Sequence, residues 1–66
     1  MSVAKIIEIK AEGDTIEQAF DNAVAEASKT VNNIESVWAD DIEAVVENNE
    51  IKTYRVNTKI TFVVNK

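Results

Sequence analysis

The stretch Ile51–Val64, IKTYRVNTKITFVV, decides how the rest of the chain is read. Tyr54, Val56, Ile60, Phe62 and Val64 fall on one parity and Thr53, Arg55, Asn57, Lys59 and Thr61 on the other. That is the period-2 pattern of a half-buried strand. At about 3.3 Å per residue it would run for roughly 45 Å, longer than one helix of a 66-residue chain can cover. Part of its apolar face therefore needs other chains, and the first expectation is an oligomer.

Working back from this strand, Asn48-Asn49 reads as a two-residue hairpin loop after a second strand, Glu35–Glu47 (ESVWADDIEAVVE). An uninterrupted ladder across that loop sets Val46 opposite Ile51, Ile42 opposite Arg55, Asp40 opposite Asn57, Trp38 opposite Lys59 and Ser36 opposite Thr61. Residues directly opposite share a face. One face of the hairpin is then Ser36, Trp38, Asp40, Arg55, Asn57, Lys59 and Thr61. The other, with Val37, Ala39, Val45, Tyr54, Val56, Ile60 and Phe62, must take a helix.

The helix precedes it. Thr15-Ile16-Glu17-Gln18 is a capping box, in which the Thr hydroxyl accepts from the third helical amide and the Gln side chain reaches back to the cap amide. Ile16, Ala19, Phe20, Ala23, Val24, Ala27 and Val31 follow the i, i+3, i+4 ladder, predicting an amphipathic helix of about four turns. Its alanine strip lets it lie close to a sheet, and Asn32-Asn33 ends it, since Asn tolerates a left-handed backbone. Before it, Val3–Ala11 (VAKIIEIKA), with Val3, Ile7 and Ile9 on one parity, predicts a first strand broken at Glu12-Gly13-Asp14. The order is β-α-β-β, an α+β fold in one domain spanning residues 1–66. The last strand lies antiparallel between the other two, in the sheet order 1-3-2, and long edges call for neighbouring subunits.

Composition narrows the function. Twelve acids against seven bases give a net charge of −5, which argues against nucleic acid and against an anionic membrane surface, both of which need a basic footprint. With no Cys and no His, disulfides, thiolate or His zinc sites and Ser-His or Cys-His nucleophiles are excluded. A chain this short is marginal in stability without a staple, and association is the staple left to it. No stretch has the form of a signal peptide or the length of a membrane span, and the expected location is cytoplasmic. Asp40 and Asp41 are adjacent, so an ordinary strand points them to opposite faces, poor geometry for a carboxylate pair. Glu12, Asp14, Asp40 and Asp41 have oxygens for a hard cation but not the spacing of an EF-hand loop. The expectation is a protein that is not an enzyme.

Trp38, the only Trp, falls among ionic and amide groups on the polar face. A large apolar ring there calls for cover: by a neighbouring subunit, by a planar ligand stacked on it, or by Lys59 or Arg55 in a cation–π contact.

The order β-α-β-β, the segment ASKTVNNI closing the helix and the final TYRVNTKITFVV together resemble the dodecins. The resemblance implies a three-stranded antiparallel sheet partly wrapped around one helix, and a hollow shell of twelve subunits with 23 symmetry. It also implies binding of riboflavin, FMN or related isoalloxazines in pairs at a two-fold interface, for storage or light protection, without catalysis. In flavin dodecins a Trp two residues after the helix-closing aliphatic residue stacks on the ring, and a Gln after the aromatic residue of the third strand bonds its polar edge. Counted from Ile34 and Tyr54, those positions here are Ser36 and Arg55, so both hallmarks are replaced. Asp41 matches an acidic position of that pocket. Trp38 lies two residues beyond Ser36, about 6.5 Å along the same face.

These residues set two expectations. In the first, Trp38, Arg55, Ser36 and Asp41 form an altered small-molecule pocket, flavin-like, for riboflavin or FMN, within an interface that also holds Asn57 and Lys59. In the second, Trp38 is buried between subunits, Arg55 pairs with an acid such as Asp40 across the assembly, and the shell is structural or binds calcium, as in a branch of the family that carries Arg in place of Gln.

Overall fold

The computed structural model describes residues 3–64; the outer ends of the expected 1–66 domain, residues 1, 2, 65 and 66, lie outside the described residues. Four elements follow one another: β1 (Ala4–Gly13), α1 (Ile16–Ala27), β2 (Ile34–Glu47) and β3 (Glu50–Val63). The sheet order is β1-β3-β2, with both edge strands antiparallel to β3. This is the expected α+β topology.

Local chemistry accounts for the boundaries. Thr15 caps α1 in extended conformation, its Oγ1 accepting from the Gln18 amide at 3.0 Å. The reciprocal arm differs by one residue from the expected box: Gln18 Oε1 accepts from the Asp14 amide, at 2.6 Å. The helix stops at Ala27, a turn earlier than its apolar ladder implied. The amides of both Thr30 and Val31 close onto the Ala27 carbonyl, at 3.1 and 3.0 Å, which ends the regular repeat, while Val31 still packs on the core. Asn33, with φ 60°, then turns the chain into β2. Asn48 and Asn49 both have positive φ, 54° and 62°, the pair of left-handed residues that a type I′ hairpin turn requires.

The strands depart from an uninterrupted ladder at three points: Ile34/Ser36, Ala39/Asp41 and Val45/Val46. Lys52 is an extra residue in β3, and Glu35 and Asp40 are extra residues in β2. Between Lys52 and Asp40 the register is therefore one residue off the uniform pairing. Ile42 faces Val56 instead of Arg55, and Asn57 faces Asp41 instead of Asp40, whereas Trp38–Lys59 and Ser36–Thr61 pair as expected. Val45 lies opposite Thr53, so Ala44 takes the expected place of Val45 on the face of Tyr54 and Val56. β1 also runs two residues past Ala11, because Glu12 and Gly13 still pair with Arg55 and Tyr54.

The core is thin. Ala23 and Ala27 of α1 close on Ile60 of β3, with Ile7, Ile9, Ala11, Val31, Ile34 and Val37 packed around them, and Ala19 and Val56 are likewise inaccessible. At the end of β3 it is Val63 that is buried and Val64 that is exposed. There the Val63 amide donates to the Asn33 carbonyl at 3.0 Å.

Thr58 is buried among these apolar groups because its Oγ1 donates to the Ile9 carbonyl at 2.8 Å. Thr58→Val should lower stability by about 1–2 kcal/mol, the cost of removing a buried hydrogen bond. The urea midpoint should fall with an unchanged slope. A midpoint equal to the wild type would mean that the hydroxyl contributes nothing.

Twelve helical residues span about 18 Å, whereas the fourteen-residue strands of the hairpin span about 46 Å. The molecule is accordingly elongated, 51 × 19 × 14 Å. Ile42, Val46 and Ile51 stand in the part of the hairpin that α1 does not reach, each more than half exposed.

Candidate functional site

The face of the sheet turned away from α1 is organised in rows set by the register. Opposite one another lie Ile6, Thr61 and Ser36; then Glu8, Lys59 and Trp38; then Lys10, Asn57 and Asp41; then Glu12, Arg55 and Glu43. Directly opposed residues share a face, so these side chains make one surface.

Arg55, at the centre of the last row, is held from both sides. Its Nη2 lies 3.2 Å from Glu12 Oε2 and its Nε donates to the same oxygen at 3.3 Å, while Nη1 donates to Glu43 Oε1 at 3.2 Å. The guanidinium is thus spanned by two carboxylates of its own chain. Within the chain Asp40 pairs with Lys59 instead, its Oδ2 3.5 Å from Lys59 Nζ; the pairing of Arg55 with Asp40 was expected between subunits. Asp41 Oδ2 accepts from Asn57 Nδ2 at 3.4 Å. Asp40 and Asp41 therefore serve the same face, contrary to the alternation expected of an ordinary strand, because the extra residue Asp40 interrupts the pleat.

Trp38 is 61 % exposed, beside the Lys59–Asp40 pair. Ser36 is exposed one row further out. The residues expected to form one pocket are not all brought together within a chain. Trp38 and Asp41 lie in adjacent rows, but the Ser36 and Arg55 rows are six β3 residues apart, about 20 Å. A site using both needs a second copy of the face.

A flavin can be tested against these groups. The Trp38 indole supplies a plane for stacking, and Asn57, Asp41 and Lys59 supply edge donors and acceptors within about 6.5 Å along the strand. Arg55 is held by Glu12 and Glu43 through one contact at each of Nε, Nη1 and Nη2, which leaves two of its five N–H groups for another partner.

Sequence reasoning missed Glu12 and Glu43 as the partners of Arg55, naming Glu12 only as an oxygen donor for a cation. The signal for Glu12 was the β1–β3 pairing, had β1 been carried past Ala11; that for Glu43 was hidden by the bulges. The oxygens of Glu12, Asp14, Asp40 and Asp41 do not converge: among the described residues no group of three or more Asp or Glu side chains is placed to hold a metal ion. Among them too, no helix is long and apolar enough to cross a membrane.

Comparison with known proteins adds to this geometry. The fold is similar to that of a single-residue variant of the T. thermophilus dodecin, with TM-score 0.89 and 22% identity over 100% of both chains. It is similar to the dodecin from Streptomyces davaonensis, with TM-score 0.88 and 18% identity over 98% of this chain and 97% of that one. The dodecin from Streptomyces coelicolor gives TM-score 0.88 and 21% identity over 98% and 94%. At these identities the likeness is one of fold. No curated protein sequence matches the chain. Residues 3–65, nearly its whole length, match the sequence profile described as Dodecin, and the chain therefore belongs to the dodecin family, whose members are non-enzymatic homo-oligomers that generally bind flavins.

Proposed function

We propose that the protein is a non-enzymatic subunit of a hollow homododecamer that holds a planar, flavin-like molecule on Trp38 at subunit interfaces, with a pocket altered from that of flavin dodecins. Trp38 and Asp41 contribute from one chain, and Ser36 and Arg55 reach the ligand only from the face of a second. Trp38, Arg55, Asn57 and Lys59 form the contact between subunits. The observation that carries this reading is the exposed indole on a sheet face that is, Ile6 apart, polar or charged. It is supported by the hairpin that outruns its helix and leaves Ile42, Val46 and Ile51 uncovered. Riboflavin or FMN is the ligand that the family implies, the whole chain acts as one domain, and its place is the cytoplasm.

A second reading is favoured by the state of Arg55. With that side chain neutralised by Glu12 and Glu43, and with both hallmark residues replaced, the shell is structural or binds calcium. Since no metal-holding group exists within one chain among the described residues, such an ion would draw its oxygens from several.

Native mass spectrometry of freshly purified protein tests both. A species of twelve times the 7.3 kDa chain carrying the added mass of a flavin or another small molecule is the expected result. A bare dodecamer whose melting temperature rises on adding millimolar calcium favours the second reading, and a monomer overturns both.

A further inference from the structure

The rows of the outer sheet face carry Glu8, Glu12, Asp40, Asp41 and Glu43 against Lys10, Arg55 and Lys59. Five carboxylates against three cations leave an excess of two negative charges on this face of each chain. Two of the three cations carry ion pairs, Lys59 with Asp40 at 3.5 Å and Arg55 with Glu12 and Glu43 at 3.2 Å, and Lys10 stands between them in the row of Asn57 and Asp41. Wherever two copies of the face meet, the negative excess doubles around whatever lies between them. Trp38 is the one large aromatic plane in these rows, and the face of its ring attracts positive charge rather than negative.

Resting on the Trp38 reading above, we infer that this face takes planar heteroaromatic molecules that carry no negative charge, uncharged or cationic, and excludes phosphorylated ones, with Glu12 and Glu43 as the residues that set the exclusion. Each carboxylate occupies donors of Arg55 that a phosphate would otherwise use. Removing both negative charges turns the last row from a cation paired with two carboxylates into an unpaired guanidinium that can bind a phosphate.

The test uses three probes and the fluorescence of Trp38, the only Trp. Riboflavin and FMN share a ring and differ by a phosphate; proflavine is a planar cation. Riboflavin and proflavine should quench with dissociation constants about tenfold or more below that of FMN at low salt, and roughly 0.5 M NaCl should narrow the gap by screening. In the Glu12→Gln, Glu43→Gln double variant the FMN constant should fall to that of riboflavin or below. FMN binding as tightly as riboflavin to the wild type overturns the inference. So does an FMN deficit that neither salt nor the double variant changes, because the exclusion is then steric. Should the double variant misfold, the salt series on the wild type decides alone. If none of the three probes quenches Trp38, the stacking platform itself is wrong and the inference falls with it, an outcome distinct from failed discrimination.

Discussion

Ile60→Ala should lower the unfolding free energy by about 4 kcal/mol, near the upper part of the range for truncating a buried aliphatic side chain. The reason lies in what surrounds it. Ile60 is inaccessible and sits under Ala23 and Ala27, with Ile7 and Val37 opposite it on the two neighbouring strands. A void left there faces helix side chains of one carbon each, which have no rotamer with which to fill it, so most of the cavity persists. For a chain of 66 residues the total stability is about 3–10 kcal/mol, and one substitution removes a large share of it. Ile60→Val, which deletes a single methylene, should cost about 1 kcal/mol. The comparison needs a fixed protein concentration, because association of folded chains adds to apparent stability. Equal losses for the two variants would show that α1 settles into the gap.

Gly13→Ala is the second large effect and works through overcrowding. A Cβ at Gly13 would lie 2.6 Å from the Ala19 amide nitrogen and 2.9 Å from the Gln18 carbonyl carbon. Both are backbone atoms of the first turns of α1 and cannot swing away. No left-handed torsion is involved; Gly13 is needed for the room it leaves where the end of β1 passes under the helix. Forcing α1 outward should cost about 2–3 kcal/mol, roughly 10–20 °C in Tm for a domain of this size. It should also loosen the bond from Asn22 Nδ2 to the Glu12 carbonyl, 2.8 Å in the native chain. Hydrogen exchange would locate the damage at residues 16–22; an unchanged Tm would mean that helix and strand stand further apart than this close approach implies.

Much of the architecture was legible because period and turn chemistry agree. Alternation on both sides of Asn48-Asn49 gave the hairpin, the Thr15–Gln18 box gave the start of α1, and the polarity of the two strand faces gave the side on which the helix packs. The errors came from single extra residues. Lys52, Asp40 and Glu35 each interrupt the ladder without changing composition or apparent parity, and no propensity marks them. For that reason Ile42 moved to the helix face, Asp41 moved beside Asn57, and Asp40 was freed for Lys59. Thr58 escaped notice because a Thr in an apolar row reads as a lapse in the pattern until its carbonyl partner on another strand is known. The outer face was legible in its membership around Trp38 and illegible in its pairing around Arg55, since ion pairs across three strands depend on two registers at once, and one of them was bulged.

The sheet order has a consequence for how the chain is made. β3 is synthesised after β1, α1 and β2 and is the strand on which both β1 and β2 depend for their pairing in the sheet. Until β3 has left the ribosome, β1 and α1 have no sheet to join. The capped helix is then a 12-residue segment, too short to hold its shape alone in water. The β2–β3 hairpin should therefore form first. The I′ turn brings Glu47 and Glu50 together first and zips the hairpin at small loop-closure cost. β1 then adds across more than forty residues of separation, pairing Ala4 with Val63 in the step that gates the rate. A stalled nascent chain lacking β3 exposes two unpaired β-prone segments, Ala4–Gly13 and Ile34–Glu47, and is the form of this protein most exposed to aggregation.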